Sequence, residues 1–218
     1  MSCVKRYYLL GIFALFFVVL SGVFLGLLMR SSSSDAGDIA AYEHSHQGVE
    51  FMEQHLYHAA IDEFEAAIQK SPSALDPWVG LSAIYIRLGD APKALERAGK
   101  AAALAKNSVD VQLLVGRAHW LARNFKDAEG AALKVDAMDP SNVHAAELLL
   151  RIYIERGDDK KFHEVLDKIE TPTPSIQELA VQFAVRQGKF RRAYALRNEF
   201  DRMALESATM RLELALKR

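Results

Sequence analysis

Apolar residues recur along this chain at intervals of three and four, and the recurrence itself repeats every 34 residues between Ala41 and Ile176. Trp78, Leu81, Ser82 and Tyr85 form one row, and Ala91, Ala94, Ala98 and Ala101 form the next. Such spacing gives each of two successive helices one apolar face. A step of 34 superimposes Phe64, Ala98, Ala132 and Leu166, with Ala60, Ala94, Ala128 and Phe162 four residues earlier and Pro72, Lys106, Pro140 and Pro174 eight later. Four units follow without a gap: 41–74, 75–108, 109–142 and 143–176. Gly89 and Gly157, each followed by an aspartate, suit the end of a first helix and a tight turn after it. Gly48, Ser82 and Gly116 share one position of the repeat, where a small side chain lets two helix axes approach. The unit is therefore a helical hairpin, which buries its apolar face by stacking on copies of itself.

These residues resemble the tetratricopeptide repeat. Unit one matches that pattern at Gly48, Phe51, Tyr57, Ala60, Phe64, Ala67 and Pro72, and unit two at Trp78, Leu81, Tyr85, Gly89, Ala94 and Ala101. Unit three matches at Gly116, Phe125, Ala128 and Pro140. Unit four departs at Leu150 and Phe162, where the family has small residues, so its two helices are expected to pack further apart. Gly188, Phe190 and Ala193 fit a fifth unit only if its first helix begins three residues early, near Pro174. The resemblance implies an all-α fold, a right-handed α-solenoid of four clear repeats, followed over 177–218 by a degenerate fifth repeat and a basic capping helix.

In that family the first helices line a concave groove that holds protein segments. Carried over by position, the wall comprises Tyr42, Val49 and Met52, then Val79, Ala83 and Ile86, then Leu113, Arg117 and Trp120, and finally Glu147, Arg151 and Ile154. Trp120 lies outside the family's packing positions; beside two arginines it has the composition of an interaction hot spot, or else it packs against the neighbouring helix. Family members that grip a C-terminal carboxylate use Lys and Asn on this wall. Here Ser45, Val79 and Leu113, then Val49, Ala83 and Arg117, stand at those places, so chaperone-tail binding is not implied.

Ahead of the repeats, residues 7–29 carry no charge over 23 positions. At about 1.5 Å per residue that run crosses a hydrocarbon core of about 30 Å, and it reads as a transmembrane helix. A cleaved secretory signal is the competing reading, but its apolar core normally runs about 7 to 15 residues. Lys5 and Arg6 precede the run and Arg30 alone follows it before Asp35 and Asp38, which places the N-terminus, 1–6, in the cytoplasm and the repeats in the periplasm or its equivalent. The polar stretch within 30–40 reads as a flexible tether. Cys3, the only cysteine, is a candidate for acylation beside the membrane or a plain thiol, and no disulfide can form within the chain.

Charge adds one feature. A formal net charge of −1 argues against a general nucleic-acid binder. It is unevenly spread, because 186–218 carries nine bases against four acids while 31–185 carries fifteen against twenty-four. The basic end is either a solvated outer face of a capping helix or a site for an acidic partner or anionic lipid.

Catalytic motifs are missing. His163 and Glu164 begin a zinc-protease signature, but Asp167 stands where its second histidine belongs. Gly80-Leu81-Ser82-Ala83-Ile84 lacks the last glycine of a nucleophile elbow. Ala94 replaces the first glycine of a phosphate loop ahead of Gly99-Lys100. His44, His46, His55 and His58 cluster in the first unit, yet residues two apart point to different sides of a helix. No enzyme, cofactor or metal is expected. The sequence points to a membrane-anchored adaptor that holds proteins during assembly of an envelope complex of pilus, secretion or cytochrome-maturation type, or to a chaperone-like accessory of a protein translocase.

Overall fold

A computed structural model describes residues 36–202, and every regular element among them is an α-helix. In chain order these are α1 (36–53), α2 (Tyr57–Lys70), α3 (Leu75–Leu88), α4 (Ala91–Leu104), α5 (Val109–Leu121), α6 (Phe125–Met138), α7 (Val143–Arg156), α8 (Asp159–Leu166), α9 (Pro174–Arg186) and α10 (190–202). The expected membrane span at 7–29 lies outside the described residues, together with 1–6 and the end of the capping segment. Among the described residues no helix is long and apolar enough to cross a membrane. Part of the expected tether is helical: 36–40, the first described residues, belong to α1, ahead of the repeat boundary at Ala41. Residues Ala36, Ile39, Ala40 and Ala41 give that extension good helix formers and an apolar edge.

Helix starts follow local capping. The side chains of Asp90, Ser108, Asn142, Asp158 and Thr173 each accept a hydrogen bond from the backbone N–H three residues on, satisfying a donor the helix itself leaves unpaired. Turns between the helices of a hairpin obey one rule. Positions 55, 89 and 123 follow at the 34-residue step, as does 157, with 188 coming 31 residues later, and all five are left-handed. Glycine supplies that conformation at 89, 157 and 188, whereas His55 and Arg123 adopt it with a side chain in place, at φ 60° and 59°.

The chain divides into two compact units, Met1–Leu88 and Gly89–Arg218. The first, described for α1 to α3, is organised around Phe64 of α2, which is fully buried. A Cβ added to Gly48 of α1 would lie 2.8 Å from that ring, and one added to Gly80 of α3 only 2.4 Å. Two missing side chains therefore make the slot for one aromatic. Trp78 on α3 closes the end of the hairpin by donating its indole N–H to the Pro72 carbonyl at 3.1 Å.

In the second unit α5 packs against α4, α6 and α7, and α7 packs in turn against α6, α8 and α9. First helices α5, α7 and α9 thus lie side by side, and the core between them and α6 and α8 is filled by Ala132, Leu149, Leu150, Ile152, Phe162 and Phe183. Gly116 sits at a crossing, as its repeat position implied. A Cβ there would meet Leu148 of α7 at 2.8 Å and Ala131 of α6 at 3.4 Å. Leu150 and Phe162, the two departures in unit four, are both fully buried. The Phe162 ring stacks on Phe183 of α9 with centroids 3.9 Å apart. Helix α8 has only eight residues where the others have thirteen or more. Pro172 and Pro174 bias Thr171 and Thr173 toward extended backbone, so the chain straightens and α9 begins at Pro174, inside the expected fourth unit and three residues ahead of the 34-residue step.

Candidate protein-binding surface

The wall expected of the first helices divides by chemistry. On α1 and α3, Tyr42 is 67% exposed and Val49 39%, while Met52, Val79, Ala83 and Ile86 are half-buried. These wall positions are apolar, with the exposed Glu43, Glu50 and Glu53 beside them on α1. Ser45, at a wall position, is buried and spends its hydroxyl on the Ala41 carbonyl at 2.7 Å, so it is closed to a ligand. The neighbouring histidines do not converge. His44 bonds Glu63 of α2 at 2.6 Å, His46 lies 3.4 Å from Glu50, and His55 bonds Tyr57 at 3.1 Å. Among the described residues no three ligand-type side chains gather around a metal-sized space.

On α5 and α7 the wall is mixed, and here the structure corrects the sequence reading. Leu113 and Ile154, expected along the wall, are buried in the core of the unit, because α7 lies between α5 and α9 and covers both rows. Trp120 is half-buried and packed against that same core, with its indole nitrogen shielded and without an acceptor among the described residues. It resolves toward packing, with one edge left at the surface. Arg117 is exposed, and among the described residues no carboxylate pairs with it. Arg151 is engaged: it donates to Glu147 at 2.9 Å, and Ser175 at the start of α9 donates to the same oxygen. Burial pushes the Glu147 carboxyl up, but the bonds from Ser175 and Arg151 and the arginine's charge outweigh it and hold the group below the usual range. Arg151 is therefore not waiting for a partner's acid, as the sequence suggested.

Two features escaped the sequence reading. Glu178, Gln182 and Val185 of α9 continue the row of Glu147, Arg151 and Ile154 at a step of 31, and all three are exposed. The early start of the fifth unit was the signal that locates them. The second is a buried carboxylate. Glu129 of α6 accepts from Tyr153 at 3.0 Å and Arg156 at 2.5 Å, both on α7, and from Lys161 of α8 at 2.6 Å. Burial raises the Glu129 carboxyl, but the bonds from Lys161 and Tyr153 and the charges of Lys161 and Arg156 prevail, leaving it below its ordinary value. The Tyr153 hydroxyl moves the other way, raised by burial and by its bond to that carboxylate. With both of its oxygens occupied, the Glu129 carboxylate ties three helices together.

Helical hairpins at a 34-residue step, small residues at the crossings and left-handed turns at one repeated position decide the architecture. The fold is the tetratricopeptide-repeat fold. Residues 51–118 match the Tetratricopeptide repeat family. A thermophilic tetratricopeptide-repeat protein of Thermus thermophilus is similar with a TM-score of 0.63 at 18% identity, covering 81% of this chain and 97% of that one. The first tetratricopeptide domain of Spaghetti, solved bound to an HSP90 peptide, gives 0.53 at 20% identity over 56% of this chain and 96% of that one. The pilF structure of Pseudomonas aeruginosa gives 0.60 at 16% identity over 74% of this chain and 76% of that one. No curated protein sequence matches the chain. At these identities the tetratricopeptide structures inform the fold of this chain, and its wall must be read from its own residues.

Proposed function

We propose that this chain is a membrane-anchored adaptor whose first-helix wall holds segments of other proteins during assembly of an envelope complex. The observation that carries the reading is the exposed and half-buried apolar row of Tyr42, Val49, Met52, Val79 and Ile86, left uncovered on helices whose opposite faces form the core. A solved tetratricopeptide domain with a bound peptide supports the class of ligand. Its acidic, carboxylate-ended peptide is a poor guide to the chemistry, since Val79 and Ala83 offer no cation and Ser45 is closed. The segment that suits the row of Tyr42, Val49, Met52, Val79 and Ile86 is apolar. The same wall would serve a chaperone-like accessory of a translocase, and the identity of the captured segment separates the two.

Photo-crosslinking residues placed at Val49 and Val79 in cells should trap one discrete partner. The same residue placed at Lys100 or Lys134, exposed on second helices, should trap far less. Equal trapping from both sets of positions would remove the wall as the binding surface.

A further inference from the structure

The first and last described helices carry matching faces of opposite charge. At 100° per residue, Ile39, Tyr42 and Val49 of α1 fall within about 120° of arc together with Glu43, Glu50 and Glu53. The three apolar residues are 61%, 67% and 39% exposed, and the three acids are exposed around them. Ala41, Ser45 and Gly48 point to the other side, into the core of their own unit. Helix α1 contains four acids and no lysine or arginine. Among the described residues no base pairs with Asp38, Glu43 or Glu53.

Helix α10 is its counterpart. Phe190 and Tyr194 are 67% and 72% exposed, and they share about 120° of arc with Arg191 and Arg202, both exposed. Ala193 is buried, and Leu196 and Phe200 pack on the core from the opposite side, so this face too is left over after the unit is built. Among the described residues no carboxylate pairs with Arg191 or Arg202. The α1 face carries three acids and His46, which lies 3.4 Å from Glu50, while the α10 face carries two arginines and the exposed Asp201, so the two faces differ in the sign of their net charge.

We propose that these faces are the two halves of one interface between copies of this chain, the α1 face of one copy seating the α10 face of the next. Apolar area at the centre supplies the attraction, and the acid-to-arginine rim fixes orientation and excludes pairing of like ends. Because the two halves differ, the contact is heterologous: a pair keeps one free half on each copy, and association continues beyond two copies. The α1 half shares Tyr42 and Val49 with the first-helix wall, so the next copy and a wall-bound segment compete for them, whereas the α10 half lies outside that wall.

Sedimentation velocity of the full chain in a mild detergent tests it. The wild type should form a series of species that grows with protein concentration and disperses in high salt. Glu43→Lys with Glu50→Lys, and separately Arg191→Glu with Arg202→Glu, should each weaken self-association by at least about tenfold, since each places like charges on the two faces. Circular dichroism of each variant establishes that its helices are intact. The decisive sample is the mixture of the two variants, in which every contact is again between opposite charges, and assembly should return. A wild type that stays monomeric, a mixture that stays dispersed, or assembly that ignores both charge reversals overturns the proposal. So does a monomeric wild type that floats with phosphatidylserine vesicles and loses that property on Arg191→Glu with Arg202→Glu, which would give the α10 face to an anionic lipid surface.

Discussion

One methyl group at position 80 would lie 2.4 Å from the ring of Phe64, closer than any real Cβ contact, and the ring has no room to retreat because Gly48 holds it from the other side at 2.8 Å. Gly80→Ala should therefore cost roughly 1 to 3 kcal/mol, seen as an earlier midpoint in denaturant with an unchanged slope. An unshifted midpoint would mean that the slot is looser than its geometry. Gly116 presents a milder case. Its first obstacle is the end of the flexible Leu148 side chain, so alanine there should be tolerated better than at 80, and leucine, which also meets Ala131, should not. Gly48 and Gly116 were legible in the sequence, since they recur at the repeat step. Gly80 was not, because histidine and leucines hold its equivalent positions in the other units and only the rotamer of Phe64 makes it necessary.

Elements are joined by turns, and the turns allow a test of sign. Gly157 has a left-handed φ of 67° and open space where a Cβ would go, so Gly157→Ala carries a backbone cost alone, roughly 1 kcal/mol. Arg123 holds the same conformation one repeat earlier against that preference, and its side chain, 3.4 Å from Glu155, is mostly exposed. Arg123→Gly should then raise the melting midpoint while Gly157→Ala lowers it. If both lower it, side-chain contacts at Arg123 outweigh its backbone.

The Glu129 cluster sets a pH dependence at the same scale. Its carboxyl is held below its usual range in the fold, so it stabilises fully above the unfolded value near 4.5, and that contribution is lost as pH falls through the lower folded value. Thermal melts of the full chain should show a midpoint that drops on acidification below about pH 4.5, and Glu129→Gln should start lower at neutral pH by roughly 1 to 3 kcal/mol and flatten this acid limb. A variant as acid-sensitive as the wild type would assign the limb to other carboxylates. The starts of α3, α5 and α7 coincide with unit boundaries read from the periodicity, because apolar spacing is local. The clamp could not, since its partners lie 24, 27 and 32 residues from Glu129 and meet only when three helices are stacked. Burial of Leu113 and Ile154 was hidden for the same reason: a repeat position specifies which side of a helix faces the groove, not how deeply the next helix covers it.

For the whole molecule, the proposed anchor implies a side of the membrane for the repeats through the charges that flank 7–29. Residues 7–29 are uncharged, Lys5 and Arg6 stand before them, and Arg30 is followed by Asp35 and Asp38. The side that keeps more lysine and arginine next to a span is the cytoplasmic one, so the proposed arrangement leaves the short N-terminus inside and sends 36–202 outside. The bias is narrow, and it can be reversed by design. Alkaline phosphatase fused after Arg218 should be active, and a cytoplasmic reporter at that point silent. Moving the charge, with Lys5→Ser and Arg6→Ser on one side and Asp35→Lys and Asp38→Lys on the other, should lower the phosphatase signal and raise the other, since it turns the local excess around. A silent phosphatase fusion on the unaltered chain would place the repeats in the cytoplasm and change the class of protein its wall can meet. Phosphatase activity released in soluble form, instead of held in the membrane fraction, would show that 7–29 is removed as a signal and that the first-helix wall works without an anchor.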